Sequence, residues 1–151
     1  MKMKIAVACD HRGVQMKKQI LDVLRAKGYE AVDCGTDSES SCDYPDFMFR
    51  AAEKVKDGEC AQAIGICYTG IGSAIAANKV KGVRAALVHS SEEARLSRAH
   101  NDANMLILGA GFLDPENVPH MVREFLTTPF EGGRHEQRVN KIKSYEQSHA
   151  R

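Results

Sequence analysis

Five short apolar runs, each followed by a segment of helical or polar character, constrain this chain more than any other feature. The runs cover residues 4–9, 30–34, 63–67, 83–88 and 104–109. After the first, Met16, Ile20, Val23 and Leu24 recur at helical spacing until Gly28 stops them. Tyr44-Pro45 opens a second helix lined by Phe47, Ala51 and Val55, with Gly58 behind it. Ser90 and Glu93 make a capping box for a helix running to about Arg98. Asp114-Pro115 caps another, striped by Val118, Met121, Val122, Phe125 and Leu126, and Gly132-Gly133 precedes a polar helix over about 134–147. Strands alternating with helices predict a parallel five-stranded sheet covered on both faces: an α/β, Rossmann-like three-layer αβα sandwich forming one domain over residues 1–151. Ligands of such sheets lie beyond the carboxyl ends of the strands. Asp10-His11, Tyr44, residues 67–72 and the loop His100-Asn101-Asp102-Ala103 are all expected there.

The run IGICYTGIGSAIAANK, residues 64–79, concentrates the chemistry. It reads as the end of a buried strand, a glycine turn and an alanine-rich helix. Such a unit leaves N–H groups unpaired at the positive end of a helix, a socket for an anion or a developing oxyanion. Cys67 stands at the lip, where a thiol is readily ionised. A P-loop would need Lys and Ser/Thr where Ile71 and Gly72 stand, and a dinucleotide fingerprint would need Gly or Ala at Ile75. A cysteine-phosphatase loop would need Arg at the position of Ser73. Arg134 and Arg138, four apart, share a helix face that suits a phosphate monoester. Asp10-His11 can polarise sugar hydroxyls or phosphate, and His100 can serve as an acid or base near neutral pH. Two chemistries fit: acyl transfer by a Cys/His pair, or proton abstraction beside a carbonyl. The paired arginines favour a small phosphorylated substrate, hence the second.

Composition narrows the partners. A formal charge of +1 gives no basic field, so nucleic acid is not expected. No apolar run approaches a membrane span, and MKMKIAVACD lacks the apolar region and cleavage site of a signal peptide. Five cysteines without a CxxC pair argue against a disulfide framework or a zinc site, and the expectation is a reduced, cytoplasmic protein. Cys9 and Cys34 read as core, while Cys42 and Cys60 lie in polar surroundings.

Several ordered motifs then coincide: Asp10-His11-x-Gly13, Asp43-Tyr44-Pro45, Cys67-x-Thr69-Gly70-x-Gly72, Ala76-Ala77-Asn78-Lys79, Ser97-Arg98-x-His100-Asn101-Asp102-x-Asn104 and Glu131-Gly132-Gly133-Arg134-His135-x-x-Arg138-Val139. With them the chain resembles ribose-5-phosphate isomerase type B, of the family that includes the galactose-6-phosphate isomerase subunits. The resemblance implies an aldose–ketose isomerase without metal or cofactor, working through a cis-enediolate on D-ribose 5-phosphate and D-ribulose 5-phosphate. By it Cys67 moves the proton between C1 and C2, Thr69 assists, and His100 with Asp10 opens the sugar ring. The backbone of Tyr68, Gly70, Ile71, Gly72 and Ser73 would hold the enediolate. Asn101 and Tyr44 would contact hydroxyls, and His11, Arg134 and Arg138 the phosphate. It also implies a homodimer or tetramer with shared sites, the C-terminal helix reaching the partner subunit. Two positions depart from the family: Tyr68 replaces the usual Gly, and Gly109-Ala110-Gly111 lacks the usual Arg after the fifth strand. They leave a tetrose 4-phosphate, allose 6-phosphate or galactose 6-phosphate as alternative substrates, and a silent phosphate-ligand-binding module as the alternative class.

Overall fold

The computed structural model describes residues 2–149. Its five strands are β1 (Lys4–Cys9), β2 (Glu30–Asp33), β3 (Gln62–Cys67), β4 (Ala85–Leu87) and β5 (Met105–Gly109). All pair in parallel, in the order β2-β1-β3-β5-β4. The helices are α1 (Val14–Ala26), α2 (Tyr44–Lys56), α3 (Ile71–Ala77), α4 (Ser91–Asn101), α5 (Val118–Thr127) and α6 (Arg134–Ser148).

The period of two along β1 sorts its side chains to two different cores. Ile5, Val7 and Cys9 join Ile64, Ile66, Leu106 and Leu108 beneath α1 and α5, where Ile20, Leu24, Met121 and Phe125 close the layer. Ala6 and Ala8 face the other way, with Ala63, Met105 and Ile107, towards Met48, Ala51 and Ala52 of α2 and Ala76 and Ala77 of α3. Small residues on that face let α2 and α3 approach the sheet closely. Gly65 marks the tightest point, since a Cβ there would collide with the sulfur of Met48. Both central strands, β3 and β5, are buried at every residue, as a sheet covered on both faces requires.

The direction of winding reverses between β1 and β3, which makes the crevice at their carboxyl ends the switch point of the sheet. Asp10 follows β1 there and donates its N–H to Ile66 O at 3.2 Å, so it sits one strand away from Cys67. The loop from β2 to α2 is tied down by Lys17 of α1, whose side chain is fully buried. Its ammonium donates to Asp33 Oδ2 (3.0 Å), Thr36 O (2.9 Å) and Asp37 Oδ1 (2.6 Å).

Several boundaries differ from the sequence reading. β4 keeps only three residues, because Val83 N–H is spent on a turn to Val80 O. Asp114 caps a short 3-10 turn, Pro115–Asn117, before α5 begins. The most consequential change concerns His100 and Asn101, expected in a loop beyond a strand end. They form the last turn of α4. Arg98 holds that turn by donating to Asp102 Oδ1 (2.9 Å) and Ala103 O (2.6 Å), and Asp102 closes it in the left-handed region at φ 47°.

Candidate active site

The turn after β3 is shaped by contacts that only glycine permits. Gly70 has φ 80°, and a Cβ on it would strike Leu87. Its N–H donates to Cys67 Sγ at 3.2 Å. Ile71 N–H donates to Thr69 Oγ1 at 3.1 Å. The next two N–H groups, of Gly72 and Ser73, belong to the first turn of α3, which has no intrahelical acceptors to offer them. Ser73 Oγ is buried and has no hydrogen-bond partner among the described residues, a polar atom that a ligand or water oxygen would satisfy. Tyr44 lies so close over Gly72 that a Cβ there would overlap its ring and hydroxyl.

These groups line an open cleft of about 490 Å³ bounded by Asp10, Tyr44, Cys67, Tyr68, Thr69, Ile71, Gly72 and Ile75. His11 stands beside it with Nδ1 accepting from Cys42 N–H at 3.3 Å. With Nδ1 accepting, Nε2 is the ring's donor. Burial pushes the Cys9 thiol up to about 11 and raises those of Cys34 and Cys60 as well. Cys60 was read as lying in polar surroundings, yet it is 1% exposed.

The remaining sequence-predicted residues are not in this cleft. α4 leaves the carboxyl end of β4 and returns to the amino end of β5, so its last turn lies at the opposite edge of the sheet from Cys67. There His100 stacks on His135, centroids 4.1 Å apart and planes 11° apart. Glu131 Oε1 lies 4.0 Å from His100 Nε2 and 3.7 Å from His135 Nε2. The ligand atoms of the three side chains lie within 4.8 Å of one another, with the two imidazole rings near-parallel. Burial, followed by the charge of His100, holds His135 below its ordinary value. Asn101 belongs to the same turn of α4, while Arg134 and Arg138 are exposed on the start of α6, which begins just after Glu131 N–H bonds Ala99 O. Within one chain the expected site therefore falls into two halves. Glu131 and His135 beside His100, and Arg12 and Phe112 beside Tyr68, are contacts with no local periodic signal in the sequence.

A parallel αβα sheet with a thiol and the free N–H groups of a helix start at its switch point is the architecture of a small-ligand-binding protein. Comparison with known proteins makes it specific. Residues 5–142 match the family model described as Ribose/Galactose Isomerase. Ribose-5-phosphate isomerase B of Escherichia coli is 42% identical over 144 residues, 95% of this chain and 97% of that protein. The structure of Clostridium thermocellum ribose-5-phosphate isomerase B superposes with a TM-score of 0.95 at 47% identity, covering 98% of this chain and all (100%) of that one. That of Mycoplasma genitalium, with bound ribulose-5-phosphate, gives 0.93 at 44% identity over 97% of this chain and 98% of that one. The chain belongs to the ribose/galactose isomerase family and is an isomerase by that membership.

Proposed function

We propose that this enzyme interconverts D-ribose 5-phosphate and D-ribulose 5-phosphate, with Cys67 as the base. The observation that carries the reading is the Gly70 N–H donated to Cys67 Sγ beside the uncommitted N–H groups of Gly72 and Ser73. The Cys67 thiolate removes the C2 proton of the open-chain aldose, and the electron pair forms the C1–C2 double bond. O1 becomes an enediolate oxyanion against those N–H groups. The O2 proton then passes to O1 of the cis-enediolate, which moves the charge to O2, and return of the first proton to C1 gives the C2 ketone and the C1 hydroxyl. Thr69, whose hydroxyl already orders Ile71 N–H, assists the transfer. Tyr44 and Asn101 meet sugar hydroxyls, His11 donates Nε2–H to the phosphate, and His100 with Asp10 opens the ring.

His100, Asn101, Arg134 and Arg138 join the reaction from a second subunit. A homodimer with shared sites is supported by surfaces one chain leaves uncovered. Ile71 and Ile75 on the cleft rim are 57% and 59% exposed. α6 buries only Val139 and carries a groove of about 720 Å³ along its outer face, with Tyr145 66% exposed. The related structure with bound ribulose-5-phosphate supports the pentose substrate. Steady-state kinetics on ribose 5-phosphate, erythrose 4-phosphate, allose 6-phosphate and galactose 6-phosphate test the reading. The highest kcat/KM is expected for ribose 5-phosphate; a higher value for another sugar reassigns the substrate.

A further inference from the structure

Tyr68 and Gly111, the two departures read in the sequence, touch each other. Gly111 N–H donates to Tyr68 O at 2.9 Å, and Ala110 N–H donates to Cys67 O at 2.8 Å, so the loop after β5 is strapped to the turn after β3. A Cβ on Gly111 would collide with the Tyr68 ring. Phe112 meets that ring edge-on, at 5.7 Å and 65°. Tyr68 and any larger residue at position 111 therefore exclude one another in this arrangement. With the Tyr68 ring in this position, the β5 loop does not bring in an arginine at position 111.

The tyrosine brings its own cation. Arg12 lays its guanidinium over the Tyr68 ring, Cζ 4.0 Å from the centroid. Its main chain is pinned beside the cleft, N–H to Asp10 Oδ1 at 2.9 Å. No carboxylate pairs with the Arg12 guanidinium among the described residues. An arginine held by its π face keeps its in-plane N–H donors free, and those donors match two oxygens of a phosphate. It follows His11 directly in the chain, and the two groups that hold it, Asp10 and Tyr68, both line the cleft.

We propose that Arg12, braced on Tyr68 in the space that Gly111 leaves open, binds the phosphate of the substrate. The proposal rests on the sugar-phosphate reading of the cleft and adds a residue to it. The test is steady-state kinetics of Arg12→Ala on ribose 5-phosphate, with inorganic phosphate as a competitive inhibitor. KM and the inhibition constant of phosphate should both rise about tenfold, at the low end for one charged contact, with kcat changed less than about twofold. The melting temperature should stay put, since Arg12 is exposed. Adding Tyr68→Gly and Gly111→Arg together to Arg12→Ala should recover most of the lost affinity, whereas Gly111→Arg added alone should not. Unchanged KM and unchanged phosphate inhibition in Arg12→Ala would overturn the proposal. If the wild-type protein turns over no sugar phosphate, the isomerase reading fails instead. Calorimetric titration of inorganic phosphate into wild type and Arg12→Ala then still decides the role of Arg12: equal affinities overturn it, and a weakened variant supports it.

Discussion

Lys17→Met removes an ammonium from the interior while keeping most of the side chain's volume. The lost contacts are those to Asp33, Thr36 O and Asp37 at 3.0, 2.9 and 2.6 Å. The Asp37 carboxylate is 84% exposed and rehydrates freely, so it is left out of the sum. Asp33, 33% exposed, loses one charged hydrogen bond, about 1.5–3 kcal/mol. The Thr36 carbonyl adds about 1 kcal/mol. Against this stands relief from burying a fully enclosed charge, which returns part of the total. The net expectation is a destabilisation of about 2 kcal/mol, or about 4–8 °C in Tm for a chain of this size. Burial pulls the Lys17 pKa down, yet the hydrogen bonds to Asp37 and Asp33 outweigh it and leave it above 10.5. A base raised in this way stabilises the fold fully below 10.5 and loses that contribution as pH climbs through the folded value. The hydrogen bond from Lys17 holds the Asp37 carboxyl below 3.8, so its share is present above 3.8 and lost as pH falls through the folded value. The Tm gap between wild type and Lys17→Met should be flat from about pH 5 to 9 and narrow outside that window. KM should also rise, because the loosened loop carries the Cys42 N–H that orients His11. A variant that melts at or above wild type, or a gap unchanged up to pH 11, would refute the assignment of stability to this ammonium.

Three further outcomes are expected. Gly72→Ala places a methyl group inside the Tyr44 ring; it should lower Tm and raise KM, and adding Tyr44→Ala should restore Tm without restoring KM. His135, held down by burial and then by His100, is harder to protonate folded than unfolded, so stability should fall as pH drops below about 6.5. His135→Gln should flatten that slope between pH 7 and 5 in urea titrations; an unchanged slope removes His135 as its source. On the proposed homodimer with shared sites, Cys67→Ala and His100→Ala should each be inactive, and mixing them under subunit exchange should restore activity, because one hybrid site then has both residues. No recovery with demonstrated hybrids would contradict a site shared between subunits.

The strands and helices were legible because their periods are local: Ile5, Val7 and Cys9 alternate with Ala6 and Ala8, and Ile20 and Leu24 recur along α1. The turn at Cys67 was legible for the same reason, with its glycines adjacent in the chain. His100 and Asn101 were not, because a polar last turn carries no apolar stripe and is held instead by the Arg98–Asp102 pair. Because they directly precede β5, they lie at its amino end, the opposite edge of the sheet from Cys67, whether coiled or helical. Lys17 looks like a surface lysine until the β2–α2 loop folds over it. The coupling of Arg12, Tyr68 and Gly111 joins three distant points of the chain, and only the register of β1, β3 and β5 brings them together.

Proton NMR of ribose 5-phosphate incubated with the protein in D2O tests proton transfer by Cys67 most directly. Wild type should form ribulose 5-phosphate and incorporate deuterium at C2 of the recovered aldose. Cys67→Ala should do neither while keeping its fold and its affinity for inorganic phosphate. Conversion or exchange by folded Cys67→Ala at the wild-type rate would contradict the account.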